Sequence, residues 1–185
     1  MKLFGVIGMG KKNIFFGCTL AENKVIVDDA TLKGALVEKG FGESKGKLLL
    51  LDLVESLFLV SKEKVSVCDL KGKKVFEKNL LALGLKSDKK FYSKFVVYSD
   101  VRERGYCIKT GVKFGFDFRV YPKGEKAGSA HTQYVITVVP ESERLSMHQL
   151  SRMTRLAGNI HAKVLQAVVD SEDAVNYYLL DRVVL

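Results

Sequence analysis

Residues 98–121 read YSDVRERGYCIKTGVKFGFDFRVY, and within this stretch the pattern changes from helical to strand-like. Apolar residues recur at helical spacing in its first part, which predicts an amphipathic helix over 91–104 that ends at Gly105. The alternating residues that follow predict strands over 106–110 and 115–121.

The chain after this segment continues to switch between the two patterns. We predict strands over 134–139, 163–169 and 174–183, and a helix over 147–158. Strands with one helix before them and one among them predict a small α/β domain, with a mixed β-sheet flanked by helices.

The first half has its own pattern of short elements. We predict strands over 4–7, 13–17, 24–27 and 64–68, and helices over 31–39, 48–62 and 75–85. The helix over 48–62 has the strongest pattern, because Leu49, Leu53 and Leu57 recur on one face. The lysine-rich segment 86–90 resembles a joint. We therefore predict an N-terminal α+β domain over 1–87 and a second domain over 88–185.

Composition indicates a folded protein with a polyanionic partner. The chain has 185 residues, 47% of them hydrophobic, which excludes wholesale disorder. Its net charge is +9, which favours nucleic acid over an acidic membrane surface. All 7 arginines lie in residues 88–185, where the planar guanidinium suits phosphates and bases. Specific contacts are therefore expected in the second half.

Other function classes find little support in the sequence. Three widely spaced cysteines, Cys18, Cys68 and Cys107, form no zinc motif and predict free thiols in a reducing cytoplasm. His148 and His161 have no carboxylate at ligand spacing, so no metal is expected. No nucleotide-binding glycine motif opens a helix, so we expect no cofactor. No stretch is long and apolar enough to span a membrane or serve as a signal peptide, so we expect a cytoplasmic protein.

Three residues combine into one metal-free chemistry. Tyr121 ends a predicted strand, His131 follows a polar loop, and Lys163 begins another strand. Strand ends beside loops commonly carry chemistry, although each of these residues alone is more often structural. A Tyr, a His and a Lys suit attack of a ribose 2′-OH on its own 3′ phosphate, which needs a base, an acid and a cation.

The segment 98–121 resembles the signature of the archaeal tRNA-splicing endonucleases, and other motifs follow at matching distances. These are HTQYV from His131, RLA from Arg155, LQAVVD ending at Asp170, and the pair Tyr177 and Tyr178. The resemblance covers residues 90–185. It implies a nuclease-like C-terminal domain that cuts precursor tRNA at a bulge–helix–bulge without metal, leaving 2′,3′-cyclic phosphate and 5′-OH ends.

The resemblance also implies catalytic roles. Tyr121 would be the general base toward the 2′-OH and His131 the general acid toward the leaving oxygen. The lysine of the family lies seven residues after the motif arginine and eight before the motif aspartate, which counts to Ala162 and not to Lys163. A one-residue slip in a strand reverses the face that a side chain occupies.

Three readings of this departure stay open. A local bulge would let Lys163 serve, Ala162 would be an engineered replacement of the family lysine, or the chain would be a non-catalytic subunit. The presence of both Tyr121 and His131 argues against the third reading.

The resemblance assigns binding and assembly as well. Arg155 and Arg182 match the arginines that sandwich a bulge base, against the simpler reading that Asp181 pairs with Arg182. A subunit of this size resembles those that form homotetramers, as dimers of dimers. The residues implied in subunit contacts are Asp170, Glu172 and Asp173 of an acidic turn, with Tyr177 and Tyr178 of the terminal strand.

Two functions of other classes remain as alternatives. A plain RNA-binding module would explain the charge alone. A metal-dependent nuclease would need a partner for Asp117, and no downstream Asp/Glu-x-Lys motif is present.

Overall fold

The computed structural model describes residues 15–125 and 127–183. In this part of the chain, two mixed sheets are combined with five α-helices. The helices are α1 (Ala30–Glu38), α2 (Leu53–Ser61), α3 (Glu77–Ser87), α4 (Phe91–Glu103) and α5 (Met147–Asn159). The strands are β1 (Phe15–Ala21), β2 (Lys24–Val27), β3 (Glu43–Lys45), β4 (Leu48–Asp52), β5 (Val65–Cys68), β6 (Lys74–Val75), β7 (Cys107–Thr110), β8 (Phe118–Tyr121), β9 (Tyr134–Pro140), β10 (Lys163–Val169) and β11 (Val175–Leu180). The strand predicted over 4–7 lies outside the described residues.

The N-terminal sheet has the strand order β3-β4-β2-β1-β5-β6. Strands β1 and β5 are parallel, and the other pairs are antiparallel. Val25 and Val27 alternate with more exposed residues on β2 and are fully buried, as is Leu51 on β4. The first half is therefore α+β, as predicted.

The prediction of one long helix over 48–62 was wrong in its first third. Residues 48–52 form strand β4, which pairs with β2 and β3, and only Leu53–Ser61 is helical. Four consecutive leucines fit a buried strand as well as a helix, so their spacing does not decide between the two. The helix starts where the backbone N–H of Asp52 donates to Glu55 Oε2 at 3.0 Å.

The C-terminal sheet has the order β11-β10-β9-β8-β7, with β9 and β10 parallel and the other neighbours antiparallel. This is the mixed, helix-flanked sheet that the sequence predicted. On β9, Val135 packs in a core cluster with Met153 and Ala157 of α5, whereas Ile136 packs in the cluster that contains Tyr98 of α4. Successive strand residues face opposite sides, so α5 and α4 cover opposite faces of the sheet.

The two halves share one continuous hydrophobic core. The ring of Phe58 on α2 meets the ring of Tyr98 on α4 edge to face at 5.6 Å, and Tyr98 lies 5.9 Å from Phe118 on β8. Helices α3 and α4 also pack closely, because a Cβ on Gly84 would lie 2.2 Å from the ring of Phe91. The lysine-rich joint is shorter than predicted, since α3 extends to Ser87. The domain boundary between residues 87 and 88 stays a prediction.

No helix among the described residues is long and apolar enough to cross a membrane.

Candidate active site

The three candidate catalytic positions meet at one end of the C-terminal sheet. Tyr121 is the last residue of β8, and the backbone N–H of Gln133 donates to Val120 O beside it at 2.9 Å. The carbonyl of Gln133 in turn accepts from the N–H of Lys163, the first residue of β10, at 3.2 Å. His131 lies two residues before Gln133 and is exposed. Among the described residues, no side-chain hydrogen bond joins Tyr121, His131 and Lys163.

The ring of Tyr121 is buried in the protein. Only 3% of the residue is exposed. Its hydroxyl nevertheless differs from that of Tyr98, which is fully buried without a hydrogen-bond partner. Arg119, two residues earlier on the same face of β8, lies over this ring with its guanidinium carbon 5.9 Å from the centroid. The ring is thus buried while its hydroxyl reaches the surface.

Arg119 is a neighbour of the site that the sequence did not identify. Its guanidinium also lies 4.7 Å from the centroid of Phe114, and its Nε donates to Thr110 O at 3.3 Å. Within the described residues it has no carboxylate partner, although it is half-buried. Phe114 belongs to the glycine-flanked turn in the signature segment, where a Cβ on Gly111 would lie only 3.0 Å from the backbone of Phe118. This turn thereby supports the residue that contacts Tyr121.

Position 162, and not Lys163, shares a face of the sheet with Tyr121. Ala162 packs against the cluster that contains Val135 and Val164. Val135 pairs with Arg119, whose side chain lies on the Tyr121 face. The pairing of β10 with β9 is continuous from Lys163 to Val169, without a bulge. Alternation therefore starts the Lys163 side chain on the opposite face, although Lys163, as the first residue of β10, also lines the cleft between this strand and α5.

A cleft of about 740 Å³ lies beside these strand ends, and it brings together three predicted cationic residues. Its walls come from α5, the start of β10 and the end of the chain, and they include Arg155, Lys163 and Arg182. Arg152, one helical turn before Arg155, lines the same cleft and was not singled out from the sequence. Tyr121 and His131 are not lining residues of this cleft.

The arginines of the cleft have no salt bridge within the described residues. Asp181 accepts from the backbone N–H of Arg182 at 2.8 Å, not from its guanidinium. Arg155 and Arg182 are both exposed. The cleft therefore presents unpaired guanidinium groups, an arrangement that suits the binding of an anion.

The predicted assembly residues lie at the far end of β10. In the turn after Val169, Asp170 Oδ1 accepts from the backbone N–H of Glu172 at 2.9 Å and of Ala174 at 2.8 Å. Asp173 Oδ2 accepts from the hydroxyl of Tyr92 on α4 at 2.6 Å, and this bond raises the Tyr92 pKa. Only Glu172 directs its carboxylate to solvent without a contact of this kind.

The two tyrosines of β11 differ in their surroundings. Tyr177 is half-buried and donates to Asp100 Oδ2 at 2.7 Å; burial, and then this bond, raise its pKa. Tyr178 is 56% exposed, and Leu179 beside it is 54% exposed. Strand β11 is an edge strand, so its outer backbone groups are open to pairing with another chain.

Asp117 has a structural role in its surroundings. Its Oδ2 accepts from the backbone N–H of Val138 at 2.7 Å, and its Oδ1 forms a salt bridge with Lys94 at 2.7 Å. Lys94 also contacts Asp88 at 2.5 Å. The carboxylate is thus occupied in joining α4 to β9, which argues against the metal-nuclease alternative.

Neither metal nor thiol chemistry finds a suitable cluster. The described residues contain no group of three or more His, Cys, Asp or Glu side chains that could hold a metal ion. All three cysteines are free, with Cys18 and Cys107 buried. Burial, followed by the charges of Asp28 and Asp29, raises the pKa of Cys18 to about 12, so its thiol is a poor nucleophile at neutral pH.

The chain resembles known proteins along most of its length. The sequence model of the tRNA intron endonuclease catalytic C-terminal domain matches residues 91–177, and that of the N-terminal domain of the same family matches residues 18–81. A tRNA-splicing endonuclease of Pyrococcus furiosus is 37% identical over 145 residues, covering 78% of this chain and 82% of the relative. One of Thermococcus gammatolerans is 35% identical over 156 residues, 84% of this chain and 90% of the relative. One of Methanococcus vannielii is 31% identical over 170 residues, 92% and 96% of the two chains. The chain therefore belongs to the tRNA intron endonuclease family, with archaeal homologues.

Proposed function

We propose that this protein is a tRNA-splicing endonuclease that cleaves precursor tRNA at bulge–helix–bulge junctions. The observation that carries the proposal is the convergence of the ends of β8, β9 and β10, which bear Tyr121, His131 and positions 162–163, next to a cleft of unpaired arginines. The reaction is metal-independent attack of the 2′-OH on the adjacent phosphate, which yields 2′,3′-cyclic phosphate and 5′-OH ends.

The residues have separate roles in this reaction. Tyr121 accepts the proton of the 2′-OH, and His131 donates a proton to the leaving 5′ oxygen, which its exposure permits. A cation stabilises the extra charge on phosphorus. Lys163 is the cation present in the sequence, whereas position 162 lies on the face of Tyr121. Arg155 and Arg182 hold a bulge base between their guanidinium planes.

Assembly completes the proposal. An enzyme that cuts both ends of an intron needs two active sites in fixed relation, so the subunits form a homotetramer built as a dimer of dimers. The exposed edge strand β11, with Tyr178, supports pairing between twin strands across a two-fold axis. The acidic turn, through Glu172, supports a contact with a basic surface of a neighbouring subunit.

Cleavage of a bulge–helix–bulge RNA in EDTA tests the function. We expect cuts at both bulges, with cyclic phosphate at the new 3′ ends. Binding without cleavage would favour a non-catalytic subunit or a simple RNA-binding module, and activity abolished by EDTA would favour a metal nuclease. If cleavage appears only after a second subunit is added, this chain is a structural partner.

A further inference from the structure

The N-terminal domain carries an exposed apolar and basic surface that the proposed active site does not use. It lies on the turn between β5 and β6 and on the start of α3. Leu70 is 80% exposed, and Phe76 is 52% exposed. Large apolar side chains that are exposed near one another are common in binding sites.

Four lysines lie in the same segment as these side chains, and they outnumber its two carboxylates, Asp69 and Glu77. Lys71, Lys73, Lys74 and Lys78 are exposed, and none forms a salt bridge within the described residues. Asp69 Oδ1 accepts from the backbone N–H groups of Lys71 and Lys73, each at 2.9 Å, and its charge offsets one of the four lysines, as that of the exposed Glu77 offsets another. The surface is therefore positive.

The backbone that carries the aromatic ring of the surface is held by a hydrogen bond. Phe76 precedes the first turn of α3, and its backbone N–H donates to Asn79 Oδ1 at 3.1 Å. The Nζ of Lys74 lies 5.5 Å from the ring centroid. The ring lines a shallow depression together with Glu77, Lys78 and Leu81. An exposed aromatic ring bordered by ammonium groups suits a nucleobase that stacks on the ring while the flanking phosphates contact the lysines.

We propose that this lysine–phenylalanine patch (Leu70, Lys71, Lys73, Lys74, Phe76 and Lys78) is a second RNA-binding site, for an unpaired nucleotide and its flanking phosphates. The inference rests on the proposed function for the identity of the RNA, namely the part of the precursor that extends beyond the cleavage junctions. The patch shares no residue with the arginine cleft.

An acidic turn from a second copy of the chain fits this patch less well. Two of its three carboxylates are engaged within their own chain, Asp170 with backbone N–H groups and Asp173 with Tyr92. Of the three carboxylates, only that of Glu172 is free to form new ion pairs with the lysines, and it offers no apolar group for Phe76. A polyanion with stacking faces matches both components of the patch.

The test compares two fluorescent RNAs, a full precursor tRNA and a minimal bulge–helix–bulge duplex, by anisotropy on the intact protein. Phe76→Ala should weaken precursor binding about 10-fold, while Phe76→Tyr should bind like the wild type. The double variant Lys71→Ala/Lys73→Ala should lower the slope of log Kd against log salt concentration by about 1.4. Binding of the minimal duplex should not change.

The matched control removes two lysines from another hairpin of the same domain. Lys45→Ala/Lys47→Ala changes the net charge equally, and both lysines are exposed beside β3 and β4. If this control weakens precursor binding as much as Lys71→Ala/Lys73→Ala, or if Phe76→Ala binds like the wild type, the proposal is overturned. Circular dichroism checks that each variant is folded.

The experiments also distinguish a contact between subunits from a failure of the proposed function. If the patch variants change the sedimentation coefficient but not RNA affinity, the patch is a contact between subunits and the proposal fails. Failure of the proposed function is seen elsewhere, as a wild-type protein that leaves the minimal duplex uncut in EDTA. The patch is judged only by differences in binding, which need no cleavage.

Discussion

Lys163 and Tyr134 are paired residues of the parallel strands β10 and β9, and Tyr134 packs toward the core beneath α4. Tyr121 and Ala162 lie toward the opposite face, which α5 covers. Lys163 is the only lysine of β10, and its side chain therefore begins on the face of the sheet opposite to Tyr121, where the reaction is proposed.

We therefore expect Ala162→Lys to raise the single-turnover cleavage rate about 100-fold, because the new ammonium would face the phosphate. Lys163→Ala should change the rate less than about 3-fold, well under the effect of losing one electrostatic stabiliser. Ala162→Met is the control for side-chain length without charge. A Lys163→Ala variant that loses activity would assign the catalytic role to Lys163 instead.

His131→Ala should lower the cleavage rate about 10²- to 10⁴-fold while RNA binding is kept, because a general acid acts on the leaving oxygen and not on affinity. His148→Ala is the control, since His148 is also exposed but lies on α5 away from the strand ends. Single-turnover rates and binding isotherms on the same RNA separate the two effects. Normal cleavage by His131→Ala would refute the assignment of this site.

Arg155→Ala and Arg182→Ala should each weaken binding of the bulge–helix–bulge RNA by about 5- to 150-fold, the cost of one lost stacking partner. Arg152→Ala should instead reduce the salt dependence of binding, by about 0.7 to 0.9 in the log–log slope, if it meets a phosphate. Arg144→Ala removes an exposed arginine outside the cleft and should have little effect. Equal losses in Arg144→Ala would mean that the cleft acts through charge alone.

Lys94→Met should destabilise the fold by about 1–3 kcal/mol, because Lys94 bridges Asp88 and Asp117 between α4 and the sheet. Burial alone would lower the pKa of Lys94, but its bonds to Asp117 and Asp88 raise it above 10.5. The contribution of Lys94 is therefore complete below that pH and is lost as pH rises through the raised pKa.

Asp88 determines how the stability contributed by this cluster changes at low pH. Burial would raise its pKa, but the hydrogen bonds from Lys94 and the N–H of Lys90 lower it below 3.8. Its contribution is thus present above about pH 4 and is lost as pH falls through the lowered pKa. Urea unfolding from pH 2 to 7 should show a flatter acid limb in Lys94→Met, whereas the exposed Lys89→Met should follow the wild type. If the free energy of unfolding of Lys94→Met had the same pH dependence as that of the wild type, the role given to the Lys94–Asp88 pair would be wrong.

Glu172→Lys should weaken assembly of the proposed tetramer, because this residue holds the outward carboxylate of the acidic turn. Sedimentation velocity at several protein concentrations should then show smaller species than in the wild type. Glu141→Lys, at an exposed position outside this turn, makes the same charge change and should leave the distribution unaltered. An unchanged distribution in Glu172→Lys would exclude the turn from assembly.

The fold class was readable from the sequence because its signals are local. Helix α4, helix α5 and strand β10 follow their predicted bounds closely, since apolar spacing and the flanking breakers are properties of neighbouring residues. The leucine run at 48–52 was misassigned because its strand partners, β2 and β3, come from other parts of the chain. Pairing of this kind is tertiary information.

The run from Tyr98 to Tyr121 indicated the family from sequence alone. The sequence also contains the residue types that the reaction needs, and a net positive charge that favours a polyanionic partner. Only the tertiary structure placed the ends of β8, β9 and β10 together and set Arg119 against Tyr121. It alone put Ala162 and Lys163 on different faces, because which side of a sheet a residue occupies depends on its partners across the strands. It likewise distinguished carboxylates that are occupied, such as Asp117 and Asp173, from arginines that are not.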